Sequence, residues 1–333
     1  MAARSHSPMD DMAKRRLNHQ QQRRIARKQA RQADGSGRRG LVIAHHGREV
    51  AVESQDGDDL GTLHRCHFRA NLGTLVAGDE VVWHPTEDGH GVVEALAERR
   101  SLLERPDRRG RLKPVAANID RVFLMIAVEP EPHDNLIDRY LVAAELVGLE
   151  PVLLLNKTDR ISDDNRPALS QLLQRYEALG YHTAQTSQND SATALHHLFM
   201  GHTSIVAGQS GVGKSSLIRR LLSDDRIRTG AVSDSTGRGT HTTTTAQLYH
   251  LPAGGDLIDS PGIREFALGH LELADLTWGF REIRPLTTQC RFRDCRHRKE
   301  PGCAVKAAFE DGRVSPERAH SFERIRHEIE ATS

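Results

Sequence analysis

Residues 208–215 read GQSGVGKS, and no other stretch limits the possible folds as sharply. The run TSIVA before it is apolar and β-branched, while SLIRRLL after it repeats its apolar residues at helical spacing. Between a strand and a helix, G-x-x-x-x-G-K-[ST] is a phosphate loop. Its glycines let consecutive N–H groups turn inward around anionic oxygens, and the helix N-terminus adds partial positive charge. Gly208, Gln209, Ser210, Gly211, Val212, Gly213, Lys214, Ser215 and Ser216 are expected to surround the phosphates of a nucleotide. Lys214 would reach the β- and γ-phosphates as a catalytic cation, and Ser215 would ligate Mg²⁺.

A base reader accompanies the loop, but upstream of it. LLLNKTD, residues 153–159, is an apolar strand that delivers Asn156, Lys157, Thr158 and Asp159 into a turn. A carboxylate there accepts from both the N1 and N2 donors of guanine, a pair that adenine lacks. Thr186 and Ser187, in the TSQ that ends the next strand, are expected to lay their backbone against the same base. Ordinary guanine-nucleotide switches place the phosphate loop first. The order here is that of a circular permutation, tolerated because domain termini lie close together at the surface, with MGHT at 200–203 as the new join.

Downstream, LIDSPG carries Asp259 and, three residues later, Gly262. That spacing lets the carboxylate approach Mg²⁺ while the Gly262 amide meets the γ-phosphate. Between the boxes lies GRGTHTTTT, a loop able to order and melt, in which Thr242 or, in preference, Thr243 would give its hydroxyl to Mg²⁺. Ile263 stands where many signalling GTPases carry a water-orienting glutamine, and an apolar side chain cannot orient water. His241 is the candidate for that task. Because the permutation puts this second switch directly before the C-terminal region, movement at Gly262 can be passed to it.

The pattern around these boxes divides the chain. The formal net charge of +1 hides eleven Lys and Arg against three Asp in residues 1–39, leaving 35 basic and 42 acidic side chains elsewhere. The head is interleaved with glutamine and nearly free of large apolar residues, so it is expected to be disordered alone, as a solvated tail or as an arm on an RNA backbone. Residues 40–97 hold short β-branched segments broken by Gly and Asp, the pattern of an OB-like barrel. With Phe68 and Trp83 the obvious aromatics and few others to stack bases, recognition by shape and phosphate is expected rather than base reading. Residues 98–118 have neither helical nor strand period and are expected to be a linker. From 119 to about 270, buried strands alternate with helices, which calls for a mostly parallel sheet in the nucleotide domain. Residues 271–333 contain Cys290, Cys295, His297 and Cys303 within fourteen positions and end in a helical SPERAHSFERIRHEIE. Four soft or borderline ligands complete a tetrahedral shell, so one structural Zn²⁺ is expected in an α-helical domain. With no apolar leader and no stretch of membrane-spanning length, a cytoplasmic protein without membrane partner is expected. A monomer is expected as well.

NKTD ahead of GQSGVGKSSL, then GRGTHTTT, DSPGIREF and the C-x4-C-x-H-x5-C cluster together resemble the RsgA family, the ribosome small subunit-dependent GTPases of bacteria. The resemblance runs from about residue 40 to the end. It implies an OB-like barrel, a circularly permuted P-loop GTPase domain and a zinc domain, binding GTP and GDP and acting late in maturation of the 30S subunit through 16S rRNA. The residues alone leave two other classes open. One is an RNA-binding module that uses GTP as a structural ligand; the other is a P-loop kinase or ATPase.

Overall fold

The computed structural model describes residues 37–87, 89–106, 111–222, 246–259 and 273–332. They fall into two compact units, the first centred on residues 37–104 and 113–118, the second on 119–222 and 249–332.

The first unit is a closed barrel. Strands β1 (Arg38–His46), β2 (Glu49–Ser54), β3 (Leu63–Phe68), β4 (Glu80–Pro85) and β5 (Gly91–Leu96) pair in the order β1-β2-β3-β5-β4, and β4 returns to β1. Only β3 and β5 run parallel among these pairs. Alternation follows the strand period of two: Gly91, Val93 and Ala95 of β5 are buried while their neighbours are not. Val42, Val50, Val52, Cys66, Leu75, Trp83 and Val93 fill the interior. Trp83 is fully buried, and a Cβ on Gly40 or on Gly91 would come within 2.7 Å of its indole carbons, so the ring needs glycine on two neighbouring strands. Trp83 is thereby committed to the core and is not available to stack on a base. Phe68 stays half-buried, its ring 5.6 Å from that of His45.

Residues 98–118 are more ordered than their lack of period implies. β6 (Leu102–Pro106) pairs with β7 (Leu112–Ala117) in a two-stranded ribbon. At its foot the Asn118 amide donates to Gly78 O at 2.7 Å and accepts from Arg100 N at 2.8 Å. Side-chain hydrogen bonds of this kind order a segment that no hydrophobic pattern announces.

In the second unit, β8 (Arg121–Ala127), β9 (Glu150–Asn156), β10 (His182–Gln185) and β11 (Thr203–Ala207) alternate with α1 (Asp134–Val147), α2 (Arg166–Ala178), α3 (Ala192–Phe199) and α4 (Lys214–Leu222). β12 (Gln247–His250) then turns into β13 (Asp256–Asp259), the turn closed by Leu251 N donating to Gly255 O at 2.9 Å. The strands stand in the order β10-β9-β8-β11-β13, every pair of them parallel. β8 is buried at all but one of its seven positions because helices cover both faces, which is why RVFLMIA reads as a continuous apolar run. α1 ends where Gly148, at φ 77°, turns its N–H back to Ala144 O.

Four helices follow: α5 (Leu273–Gly279), α6 (Arg284–Thr287), α7 (Ala304–Glu310) and α8 (Pro316–Thr332). Leu276, Phe280, Ile283, Val305, Ala308, Phe322 and Ile325 form their core together with Val142 of α1. A Cβ on Gly279 would lie 2.5 Å from Val142 Cγ1, so glycine permits this close approach. Beside it a buried charge cluster joins α1 to α8. Arg318 donates to Asp138 at 2.5 Å and to both carboxylate oxygens of Glu282 at 2.7 and 3.0 Å, and Tyr176 Oη donates to Asp138 at 2.7 Å.

Candidate nucleotide site and metal centre

Because β8, β9, β10, β11 and β13 are parallel, their carboxyl ends share one edge of the sheet. β9 ends at Asn156, β10 at Gln185, β11 at Ala207 and β13 at Asp259, so boxes far apart in sequence emerge side by side. β11 sits between a strand that precedes it in the chain and one that follows it, the kind of reversal at which open α/β sheets form a binding crevice.

The phosphate loop leaves β11 through Gly208, whose φ of 143° is open to glycine and whose Cβ would stand 2.2 Å from Met125 O. Lys214 Nζ donates to Gly208 O and Gln209 O, both at 2.6 Å, which holds the ammonium over the loop. Ser215 and Ser216 lie in the first turn of α4, where Ser216 N and Leu217 N turn back onto Gly213 O. The base-reading box rests directly on this loop. Asn156 Nδ2 donates to Val212 O at 2.8 Å, and Lys157 Nζ donates to Gly211 O at 2.8 Å and to Glu129 O at 2.5 Å. Lys157 is one of three non-glycine residues with positive φ among those described, at 61°, a conformation that directs its side chain across the loop. A Cβ on Gly213 would be 2.4 Å from Asn156 Nδ2.

The second base loop joins the same assembly. Thr158 N donates to Thr186 O at 3.2 Å, Thr186 N to Leu155 O at 2.9 Å, and Gln188 N to Asp159 Oδ1 at 3.4 Å. Asp190 closes the loop by accepting from Thr186 Oγ1 at 2.7 Å and from Ser187 N at 2.8 Å. Burial works against its ionisation, but these bonds together hold the carboxyl below the usual aspartate range. The structure thus brings together Asn156, Lys157, Thr158, Asp159, Thr186, Ser187 and the loop from Gly208 to Ser216, with Asp259 on the same sheet edge. His241, Thr242, Thr243 and Gly262 lie outside the described residues. Sequence reasoning missed Glu129, Asp190 and Arg220, which serve the site through backbone carbonyls and turns and belong to no motif; the single visible signal was Asp190 just before a serine helix cap.

The four C-terminal ligands converge as well. Cys290 Sγ, Cys295 Sγ, His297 Nδ1 and Cys303 Sγ supply ligand atoms that all lie within 4.8 Å of one another. His297 Nδ1 stands 3.6 Å from Cys290 Sγ and 3.4 Å from Cys303 Sγ. Tetrahedral zinc with ordinary Zn–S and Zn–N lengths demands an S···N edge of about 3.6 Å, so the cage fits. Burial holds His297 toward its neutral, ligating form, while burial and the neighbouring thiols push Cys295 up to about 12. Three thiols so crowded ionise readily only beside a cation. Glu300 shapes the loop: N–H groups of its own residue and of Arg298, Arg296 and Lys299 bind its carboxylate and pull it down to about 2.

Sheet order, phosphate loop and adjoining base box together define a phosphate-loop nucleotide domain in circularly permuted order. The chain belongs to the RsgA GTPase family, whose model matches residues 96–269. It is 53% identical to the small ribosomal subunit biogenesis GTPase RsgA of Marinobacter nauticus, over 94% of this chain and 96% of that one. The protein of the same name from Pseudomonas syringae pv. tomato is 51% identical over 94% of this chain and 97% of its own. Among solved structures, YjeQ from Thermotoga maritima matches with a TM-score of 0.71 at 32% identity, covering 88% of this chain and 98% of that one. YloQ, described as a circularly permuted GTPase, matches with a TM-score of 0.73 at 27% identity, covering 91% and 98%. No helix among the described residues is long and apolar enough to cross a membrane.

Proposed function

We propose that this protein hydrolyses GTP to GDP and phosphate as an RNA-gated switch in late maturation of the small ribosomal subunit, binding its 16S rRNA as a cytoplasmic monomer. The observation that carries this is the seating of the base box on the phosphate loop: Asn156 on Val212 O and Lys157 on Gly211 O. One nucleotide spanning that junction meets a carboxylate at its base and an ammonium at its phosphates. In the reaction, water attacks the γ-phosphorus in line, the bond to the β-phosphate oxygen breaks, and the proton leaves with phosphate. Mg²⁺ supplies charge neutralisation when bound, held by Ser215 and Asp259 with Thr243 of the switch loop. Lys214 and the N–H groups of Gly208–Ser216 stabilise the charge spread over the transferring oxygens. Asp159 selects guanine, Thr186 and Ser187 back the base, Gly262 meets the γ-phosphate, and His241 orients the water once RNA has placed it.

The ribosomal part of this proposal is supported by family membership, by the names that the relatives carry, and by Arg291, Arg293, Arg296, Arg298 and Lys299, which surround the metal cage with positive charge suited to phosphate backbones. Sedimentation with purified 30S and 50S subunits tests it. Retention on 30S alone, with a non-hydrolysable GTP analogue and not with GDP, is expected. Hydrolysis should rise when 30S is added and vanish in Lys214→Ala. Equal turnover with and without 30S would refute the RNA-gated switch.

A further inference from the structure

Arg220 lies in the seventh position of α4, the helix that begins at the phosphate loop, and its side chain leaves that helix for the base side of the site. One guanidinium nitrogen donates to Ser187 O at 2.7 Å and another to Asp190 O at 2.5 Å. A planar fork on two carbonyls fixes the loop between them more tightly than a single ammonium could. From within, the Asp190 carboxylate ties the same loop through Thr186 Oγ1, Ser187 N and Ser187 Oγ, at 2.7, 2.8 and 3.1 Å. The loop therefore has two restraints, one of its own and one from the phosphate-loop helix.

The direction of one peptide unit gives that second restraint its consequence. In a trans peptide the C=O and the following N–H point opposite ways. Arg220 grips the carbonyl of the Ser187–Gln188 peptide, so the N–H of that peptide, on Gln188, must face away from α4. It does: Gln188 N points at Asp159 Oδ1, 3.4 Å away. Asp159 is the residue assigned to the N1 and N2 side of guanine. The ring position next to N1 is C6, which carries an oxygen acceptor in guanine and an amino donor in adenine. That N–H is tied to Asp159 only through a long bond of 3.4 Å, which it can exchange to donate to a 6-oxo group, whereas a 6-amino group would repel it.

We propose that Arg220 is a positioning residue for base specificity, which presents the Gln188 N–H to the C6 oxygen by anchoring the far side of the same peptide. This rests on the guanine-nucleotide assignment above and extends it: the helix that carries the phosphate loop also sets the base reader, so both ends of the nucleotide are registered to one element.

The test uses the full chain and four nucleotides: GDP, inosine diphosphate (which keeps the C6 oxygen and lacks the 2-amino group), 2-aminopurine riboside diphosphate (which keeps the 2-amino group and lacks the C6 oxygen and the N1 proton, the latter loss being the same in every variant) and ADP. For Arg220→Ala, preference for GDP over the 2-aminopurine nucleotide should fall about five- to tenfold, the worth of one hydrogen bond. Preference for GDP over inosine diphosphate, which Asp159 sets, should change less than about threefold by the same measure. Arg220→Lys, able to reach one carbonyl, should recover part of the first ratio. Unchanged preference for GDP over the 2-aminopurine nucleotide in Arg220→Ala would overturn the proposal. So would equal collapse of both ratios, which is what a loop merely unfolded would give. Should Arg220→Ala not fold, Arg220→Gln replaces it in the same comparison, and failure of both to fold would also overturn a specificity role. If the unaltered chain binds ADP as well as GDP, the guanine assignment itself fails, and that control separates the two outcomes.

Discussion

Replacing Arg318 by alanine removes the cation from the buried cluster that fastens α8 to α1. The guanidinium is 1% exposed and Asp138 0%, with Glu282 at 12%, so the change strands two carboxylates in a site with almost no water. Breaking a buried pair from one side costs about 3–5 kcal/mol. The guanidinium also lies 4.2 Å from the centre of the Phe280 ring, a desolvated cation–π contact worth about 1–2 kcal/mol more. A loss of roughly 4–7 kcal/mol follows at neutral pH if nothing relaxes, and partial relaxation brings the expected value to about 4.

The chain's two tryptophans make the measurement local. Trp83 belongs to the barrel and Trp278 to α5, so Trp83→Phe leaves one reporter in the unit under test. Urea unfolding followed at Trp278, with and without Arg318→Ala, gives the difference. Its pH dependence has a defined sign. Burial already raises the Asp138 carboxyl, and without the guanidinium that rise is opposed only by the hydrogen bonds from Ser321 and Tyr176. An acid whose folded-state pKa lies above its unfolded value takes up its proton first in the folded protein. The penalty is therefore full above the raised pKa and relieved as pH falls through it. Adding Asp138→Asn to Arg318→Ala should recover at least half of the loss at neutral pH. A penalty under about 1 kcal/mol, the value of an exposed pair, or no recovery on neutralising Asp138, would refute the reasoning.

Asp159→Asn exchanges an acceptor of two guanine donors for a group that is half donor, and GDP affinity should drop about a hundredfold or more in calorimetric titration. Gly213→Ala should weaken nucleotide binding at least tenfold with the barrel unaffected, because at φ 105° its Cβ meets Asn156 Nδ2 at 2.4 Å and pushes the base box off the loop. The purified protein should contain about one zinc per chain. A strong chelator should shift Trp278 emission and lower the melting temperature of the C-terminal helices, and Cys303→Ala should do the same without chelator.

The sequence was most legible where local chemistry is sufficient. TSIVA, GQSGVGKS and SLIRRLL specify strand, loop and helix from composition and order alone, and the structure places β11, the loop and α4 there. The same holds for RVFLMIAV, whose unbroken apolar run announced a strand covered on both faces. The C-x4-C-x-H-x5-C spacing announced a cage because ligands so near in sequence need only one turn of chain to meet, as their 4.8 Å spread confirms.

Less was legible where a side chain's task depends on what the fold sets opposite it. Trp83 had the composition of a base-stacking aromatic, yet two glycines on neighbouring strands open a slot that takes the indole into the core. Residues 98–118 carried no periodicity, because Asn118 orders them through carbonyl and amide groups that hydropathy does not register.

By itself, then, the sequence determined which chemistries this chain can carry: a phosphate loop, a box with the donor and acceptor pattern to read guanine, and a metal cage, each written in residues adjacent along the backbone. Only the tertiary structure decided that the first two form one site. Parallel strands bring Asn156 and Val212, distant in sequence, to a 2.8 Å hydrogen bond, and Arg220 reaches a base loop that precedes it in the chain. Contacts of that kind depend on sheet order and on the direction of peptide groups, and a linear string of side chains encodes neither until the backbone has closed.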